Sequence, residues 1–306
     1  MGRPLKIGVQ LPEVERVVRW PELAEMARTA EQIGLDSIWL GDHLLYRDAS
    51  LGARGPWEAW SSLAALAAVT ERIQLGPLVA ATSFHAPAML AKMAATVDEI
   101  SGGRLVLGLG AGWNEVEYRA FGFPFDQRIS RFEEAFLIIR TLLREGAIDF
   151  QGRFYEVRDC QLLPPGARPG GPPLLVGSTG QRMLRITLPF VDAWNAWYSA
   201  YENRLDRVPG LLATVDAACR QVGRDPGTLQ KTLAVKVSLP GAVGARDQDR
   251  FAPLVGTPEE LAASFAGFAA AGVDQLQLVL DPITTAGIAA LAPVLEALDR
   301  AGSITG

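Results

Sequence analysis

"RLVLGLGAGW", residues 104 to 113, can be read in two ways that lead to two different folds. Leu105, Val106, Leu107 and Leu109 make a buried strand, and Gly110, Ala111 and Gly112 carry it into a small-residue turn before Trp113. An open, doubly wound sheet would need the G-x-G-x-x-G dinucleotide fingerprint here. Gly108 and Gly110 fit, but Trp113 stands where the third glycine must let the helix pack closely. Three other strand-helix units also precede the stretch, so it does not open the fold. The dinucleotide reading fails, and the strand becomes the fourth of a series.

Working outward, the same unit recurs on both sides. Upstream lie "KIGVQLP" with the helix "WPELAEMARTAEQIG", stopped at Gly34, then "SIWLGDH" with "PWEAWSSLAALAAVT", Pro56 standing near that helix's start. "IQLGPLVAA" with "APAMLAKMAATVDEISGG" completes the third unit. Downstream, the helix "RISRFEEAFLIIRTLLREG" leads into a hairpin-like, then Pro/Gly-rich segment over residues 147–172, an excursion between strands four and five. The alternation resumes with "LLVGSTG", "DAWNAWY", "LQKTLAVKVSL" and "DQLQLVL", each followed by a helical pattern. Near-continuous apolar strands alternating with amphipathic segments indicate parallel strands covered on both faces. Eight such units in one chain predict a (β/α)8 TIM barrel, an α/β fold with residues 1–306 as a single domain.

Composition narrows the function classes. The chain has 306 residues, a net charge of -5 and no basic stripe, so nucleic acid is not an expected partner. Cys160 and Cys219 lack metal-ligand spacing and read as reduced thiols, and no metal site is expected. The N-terminal stretch shows no signal-peptide pattern and no apolar run is long enough to span a bilayer, so the expected location is the cytoplasm.

In a barrel, functional groups gather at the carboxyl ends of the strands. There the sequence places Asp42 and His43 after strand two, Ala80, Ala81 and Thr82 after strand three with His85 close behind, Gly110 to Asn114 after strand four, and Gly177-Ser178-Thr179-Gly180 after strand five. Both histidines of the chain fall on this rim. Each feature has a plainer reading: a turn cap for Asp42, a structural hydrogen bond for either histidine, packing for Trp113, a simple N-cap for "GSTG". Their shared location favours a site. Small residues would clear room for a flat body, the "GSTG" backbone would cradle a phosphate, and His43 would donate or accept a proton. A phosphorylated planar redox cofactor meets that description.

The pieces "GVQLP", "DSIWLGDHL", "PAMLAKMAATVDEISGGRLVLGLGAGWNEVEYRAFG", "RFEEAFLIIRTLL", "PPLLVGSTGQRMLRI", "DAWNAW" and "GTPEELAASFAGFAAAGVDQLQL" run in order through nearly the whole chain. In them the chain resembles the bacterial luciferase-like monooxygenase superfamily, most closely its coenzyme F420-dependent branch. The resemblance implies His43 as the catalytic residue and cofactor contacts at Asp42, at the Leu78–Val79 peptide, at Ala81, and at Ala111, Gly112 and Trp113. It also implies that Gly177, Ser178, Thr179 and Gly180 hold the phosphate, and that Leu78–Val79 is a cis bond backing the ring. Asp-His at residues 42–43, rather than the Glu-His common in FMN users, implies F420, with FMN as the alternative cofactor.

Two departures limit transfer of the substrate. Trp113 stands where the sugar-phosphate dehydrogenase branch has a glutamate, and His85 is displaced by one position from the histidine of many relatives. The expected reaction is hydride transfer between a deazaflavin and a small organic substrate. The alternatives are an FMN-dependent monooxygenase served by a reductase partner and a non-catalytic flavin binder. The resemblance is compatible with a homodimer, for which "WSSLAALAAV" is a candidate face.

Overall fold

The computed structural model describes residues 3–48, 52–239 and 251–304. Eight parallel strands follow the chain: β1 (Lys6–Gln10), β2 (Ser37–Leu40), β3 (Gln74–Pro77, resuming at Ala80–Ala81), β4 (Leu107–Gly110), β5 (Leu174–Gly177), β6 (Ala193–Ala196), β7 (Gln230–Val237) and β8 (Gln275–Leu280). Their residues are almost all buried, as strands covered on both faces require. The chain divides into two compact units, one made of Met1–Trp39 with Ser178–Gly306, the other of Leu40–Gly177.

In the first unit β1 pairs with β2 and β8, β8 with β7, and β7 with β6, all parallel. Its interior carries a hydrogen-bonded polar layer among the aliphatic side chains. Asn195 Nδ2 donates to Thr232 Oγ1 and to Gln277 Oε1, each at 2.9 Å. Below it, Gln275 Nε2 and Trp39 Nε1 donate to Ser37 Oγ at 2.6 and 2.8 Å. Gly8 gives that hydroxyl its room, since a Cβ there would lie 2.1 Å from Ser37 Oγ. The 13-residue helix Trp20–Gln32 starts with Pro21 in its first turn, and Gly34 follows it at φ 84°.

In the second unit β4 pairs with Ala80–Ala81 on one side and with β5 on the other. Arg104, just before β4, ties the helix Ala59–Val69 to the strand. Its guanidinium donates to the carbonyls of Ala67, Thr70 and Ile73, which end that helix and the turn after it. The excursion is an antiparallel hairpin, Ala147–Gln151 with Glu156–Gln161. Glu134 of the helix Arg128–Glu145 holds the hairpin turn by accepting the N–H groups of Arg153, Phe154 and Tyr155. Arg168, in the Pro/Gly-rich part, pairs with fully buried Asp98 of the helix Pro87–Ile100.

Some local features add to the sequence reading or correct it. Tyr46–Asp48 and Gly52–Arg54 pair as a short antiparallel ribbon. The helix placed at Pro56 starts at Ala59, because the Glu58 carboxylate accepts the N–H groups of Trp60 and Ser61 and so caps it. A short helix, Glu115–Phe121, follows the turn after β4. The last helical pattern splits into Thr285–Ala289 and Ala292–Ile304, with Pro293 in the first turn of the second piece. Among the described residues no helix is long and apolar enough to cross a membrane.

Candidate active site

Strand β2 is buried throughout and apolar from Ile38 to Leu40, and Asp42 and His43 follow after Gly41. In extended chain, neighbouring side chains point to opposite sides. The two residues accordingly serve two different partners within the second unit. Buried Asp42 turns to the resumed end of β3, where Oδ2 accepts the Ala81 N–H at 2.9 Å and lies 3.2 Å from His85 Nε2. His43 turns the other way, its Nδ1 2.9 Å from Glu117 Oε1.

Glu117 comes from the short helix after β4 and is 1% exposed. Its second oxygen, Oε2, accepts the N–H groups of Leu44 and Leu45 at 2.5 and 3.3 Å. Burial pushes its pKa up. The His43 hydrogen bond and charge, with the two backbone N–H groups, act against burial and leave the net pKa below the ordinary carboxylate value. Glu117 is therefore ionised at neutral pH and can only accept. His43 must then carry a proton on Nδ1, and any proton it exchanges with another molecule passes through Nε2.

Around the imidazole stand two other rings. Tyr46 lies 4.8 Å and Trp113 5.7 Å from His43, centroid to centroid, and the two are 6.1 Å from each other. Trp113 is 63% exposed. Asn114 Nδ2 donates to the Leu45 carbonyl at 3.0 Å, a second tie between the turn after β4 and the turn after β2.

The glycines of β4 and β5 make room for a side chain of the protein itself. The Leu78–Val79 peptide is cis, at the bond named from the sequence. The Val79 side chain sits among Gly108, Gly110 and Gly177. A Cβ at those positions would come within 2.9, 2.6 and 3.0 Å of its methyl groups. The cup that reads as empty in sequence is filled by valine. Gly112 is needed for a different reason: φ is 70° and a Cβ would lie 1.9 Å from the Tyr118 hydroxyl. That buried hydroxyl donates to the Ala111 carbonyl at 2.8 Å, and Arg128 Nη1 donates to the Gly112 carbonyl at 2.7 Å, fixing the turn from both sides.

Of the residues predicted from sequence, the second unit thus joins Asp42 with Ala81, His43 with Trp113, and Val79 with Gly177. Leu78 is buried, and Ala111 and Gly112 are bound through their carbonyls to Tyr118 and Arg128. Ser178, Thr179 and Gly180 belong to the first unit. There the Ser178 carbonyl accepts Trp194 Nε1–H at 2.6 Å, its hydroxyl accepts the Gly180 N–H at 3.2 Å, and the seven-residue helix Gln181–Thr187 follows. Glu117, Tyr46 and Tyr118 are absent from the sequence reading. No apolar stripe marked Glu117 in the sequence: in the helix Glu115–Phe121 the buried residues are Glu117 and Tyr118, while Phe121 is exposed. Among the described residues no cluster of three or more His, Cys, Asp or Glu side chains is placed to hold a metal ion.

A family model described as luciferase-like monooxygenase matches residues 6–250. A 5,10-methylenetetrahydromethanopterin reductase of Archaeoglobus fulgidus is 32% identical over 189 residues, covering 61% of this chain and 52% of the relative. Pyrimidine monooxygenase RutA of Allorhizobium ampelinum is 33% identical over 197 residues, covering 60% of this chain and 53% of the relative. The matches thus span about half the length of these curated relatives. An F420-dependent secondary alcohol dehydrogenase, solved with an F420-acetone adduct, superposes with a TM-score of 0.79 at 19% identity, covering 97% of this chain and 99% of that one. That likeness shows the fold, the (β/α)8 TIM-barrel class expected from the eight units.

Proposed function

Because the chain belongs to the luciferase-like monooxygenase family, we propose that it is an F420-dependent oxidoreductase acting on a small organic substrate. The observation that carries this reading is the His43–Glu117 pair at the carboxyl end of β2, which leaves Nε2 as the atom for proton exchange. A 5-deazaflavin, when bound, supplies a hydride donor or acceptor, and such a transfer at a carbon bearing oxygen or nitrogen needs a proton delivered or removed at the neighbouring atom.

The residues present fit such a group. Ala81 and Ala111 are small and sit at the ends of β3 and β4, so a flat ring meets little side chain there. Val79, seated in its glycine cup, is placed to back that ring, and Leu78 is buried beside it. Asp42 acts through backbone: by accepting the Ala81 N–H it holds the strand end against which the ring would lie. The family resemblance assigns ring contacts to Gly112 and Trp113 and the phosphate to Gly177, Ser178, Thr179 and Gly180. Small residues, one imidazole and no metal requirement suit either F420 or FMN. The Asp-His pair, shared with the F420 branch, favours F420.

Equilibrium titration of the purified protein with F420, FMN and FAD tests the reading. Tight binding of F420 and hydride transfer with it is the expected result. Turnover with reduced FMN and oxygen, and none with F420, would replace it by an FMN-dependent monooxygenase with a reductase partner. Binding without any turnover over a broad set of alcohols, imines and enones would leave a cofactor carrier.

A further inference from the structure

The residue that prepares His43 is not on its own strand. We propose that Glu117 is a positioning residue that fixes both the tautomer of His43 and the course of the segment 43–46, so that the imidazole presents Nε2 for proton transfer. The proposal rests on the reading of His43 given above, and goes beyond it by assigning a second residue and a state of protonation.

The argument is one of hydrogen-bond accounting. One carboxylate accepts from three donors: His43 Nδ1–H, Leu44 N–H and Leu45 N–H. A carboxylate has enough lone pairs for all three and no proton to offer, so only the Nδ1–H form of the ring fits. The two backbone donors lie between His43 and Tyr46, so the same group sets where the chain goes after the imidazole and places the Tyr46 ring beside it. Asn114, at the start of the same short helix, holds the Leu45 carbonyl and completes the clamp.

Tyr46 stands beside the ring, 4.8 Å between centroids, and three other ionisable groups of the site are engaged elsewhere. Asp42 is turned to Ala81 and His85, and Arg128 is bound to the Gly112 carbonyl and lies over the Phe125 ring. The Tyr118 hydroxyl donates to Ala111, and burial raises its pKa above the ordinary tyrosine value. Glu117 is a buried carboxylate within hydrogen-bond reach of the His43 ring.

Glu117→Gln makes the decisive test because an amide has one accepting end and one donating end. Two backbone N–H groups claim the carbonyl oxygen, which leaves the NH2 group facing Nδ1. The proton must then move to Nε2, and the ring becomes a donor where it had been an acceptor. Nitrogen-15 NMR of histidine-labelled, cofactor-free protein reads this directly. The chain has only two histidines, and the His43 signal is the one lost in His43→Ala. The expected result is an Nδ1–H neutral imidazole in the wild type and an Nε2–H imidazole in Glu117→Gln, titrating at lower pH because the facing negative charge is gone. In cofactor-loaded protein, kcat should fall about tenfold or more, with KM little changed and the pH profile shifted in the same direction. Glu117→Asp keeps the charge; where the glutamine variant does not fold, retention of the Nδ1–H form in the aspartate variant supports the clamp and its loss overturns it. An Nε2–H imidazole in the wild type, or an unchanged tautomer and titration in Glu117→Gln, overturns the proposal. A tautomer switch with turnover unchanged in both Glu117→Gln and His43→Ala overturns the proton-transfer reading of His43 instead, and the two failures are thereby told apart.

Discussion

Two buried polar groupings in this protein solve the same problem with different chemistry. In the first unit Asn195, Thr232 and Gln277 form a neutral layer across three successive strands, Asn195 donating to the other two at 2.9 Å. In the second unit, Asp42 with His85 and Glu117 with His43 form two carboxylate–imidazole pairs at the ends of strands. Neutral groups can leave water at modest cost once they find partners; a carboxylate loses far more solvation and persists only if its hydrogen bonds are nearly complete. Glu117 meets that condition with an imidazole and two backbone N–H groups. Buried carboxylates of this kind are the groups that the proposed function draws on. The neutral layer marks the region selected for strand alignment.

Substitutions on the two sides should separate these roles. The largest effect is expected for His43→Ala, which should retain cofactor binding and lose about 10²- to 10⁴-fold in turnover by steady-state kinetics. An unchanged rate would remove the contrast altogether. Asp42→Ala strips the buried Ala81 N–H and His85 of their acceptor, and denaturant unfolding should register a loss of about 3 kcal/mol. Gly110→Ala forces a methyl toward Val79 and should cost about 2 kcal/mol; since Val79 Cγ2 is the close atom, most of that should return in the double variant with Val79→Ala. Additive losses in that pair would show that the glycine serves another purpose. Asn195→Ala should cost only about 1 kcal/mol, with turnover unaffected.

Acid titration draws the same contrast through the pH dependence of stability. The folded pKa of Glu117 lies below its ordinary value, so its contribution to stability is present above that ordinary value and fades as pH falls through the lower, folded one. Stability curves measured from neutrality downward should therefore slope more steeply below about pH 4 in the wild type than in Glu117→Gln. The neutral layer has no group that titrates in that range, and Asn195→Ala should displace the curve while leaving its slope intact.

Much of this was written in the order of the residues. The strand-helix alternation, the stop at Gly34, the hairpin in the excursion and the adjacency of Asp42 and His43 at a strand end are local patterns, and local patterns survive in a sequence. The partner of His43 lies 74 residues away, and no spacing rule links "DH" to "NEVEY". The same holds for Val79, whose neighbours are glycines on two other strands. Reading those glycines as room for a ligand left out the Val79 side chain that they admit.

By itself, then, the sequence determined the α/β class, the repeat of eight units and the rim on which an acid and an imidazole would emerge, because periodicity and turn chemistry are properties of neighbouring residues. Only the tertiary structure decided which acid belongs to which imidazole. Hydrogen-bond partnership depends on distances of a few ångströms between residues far apart in the chain, and those distances exist only once the strands have been brought together.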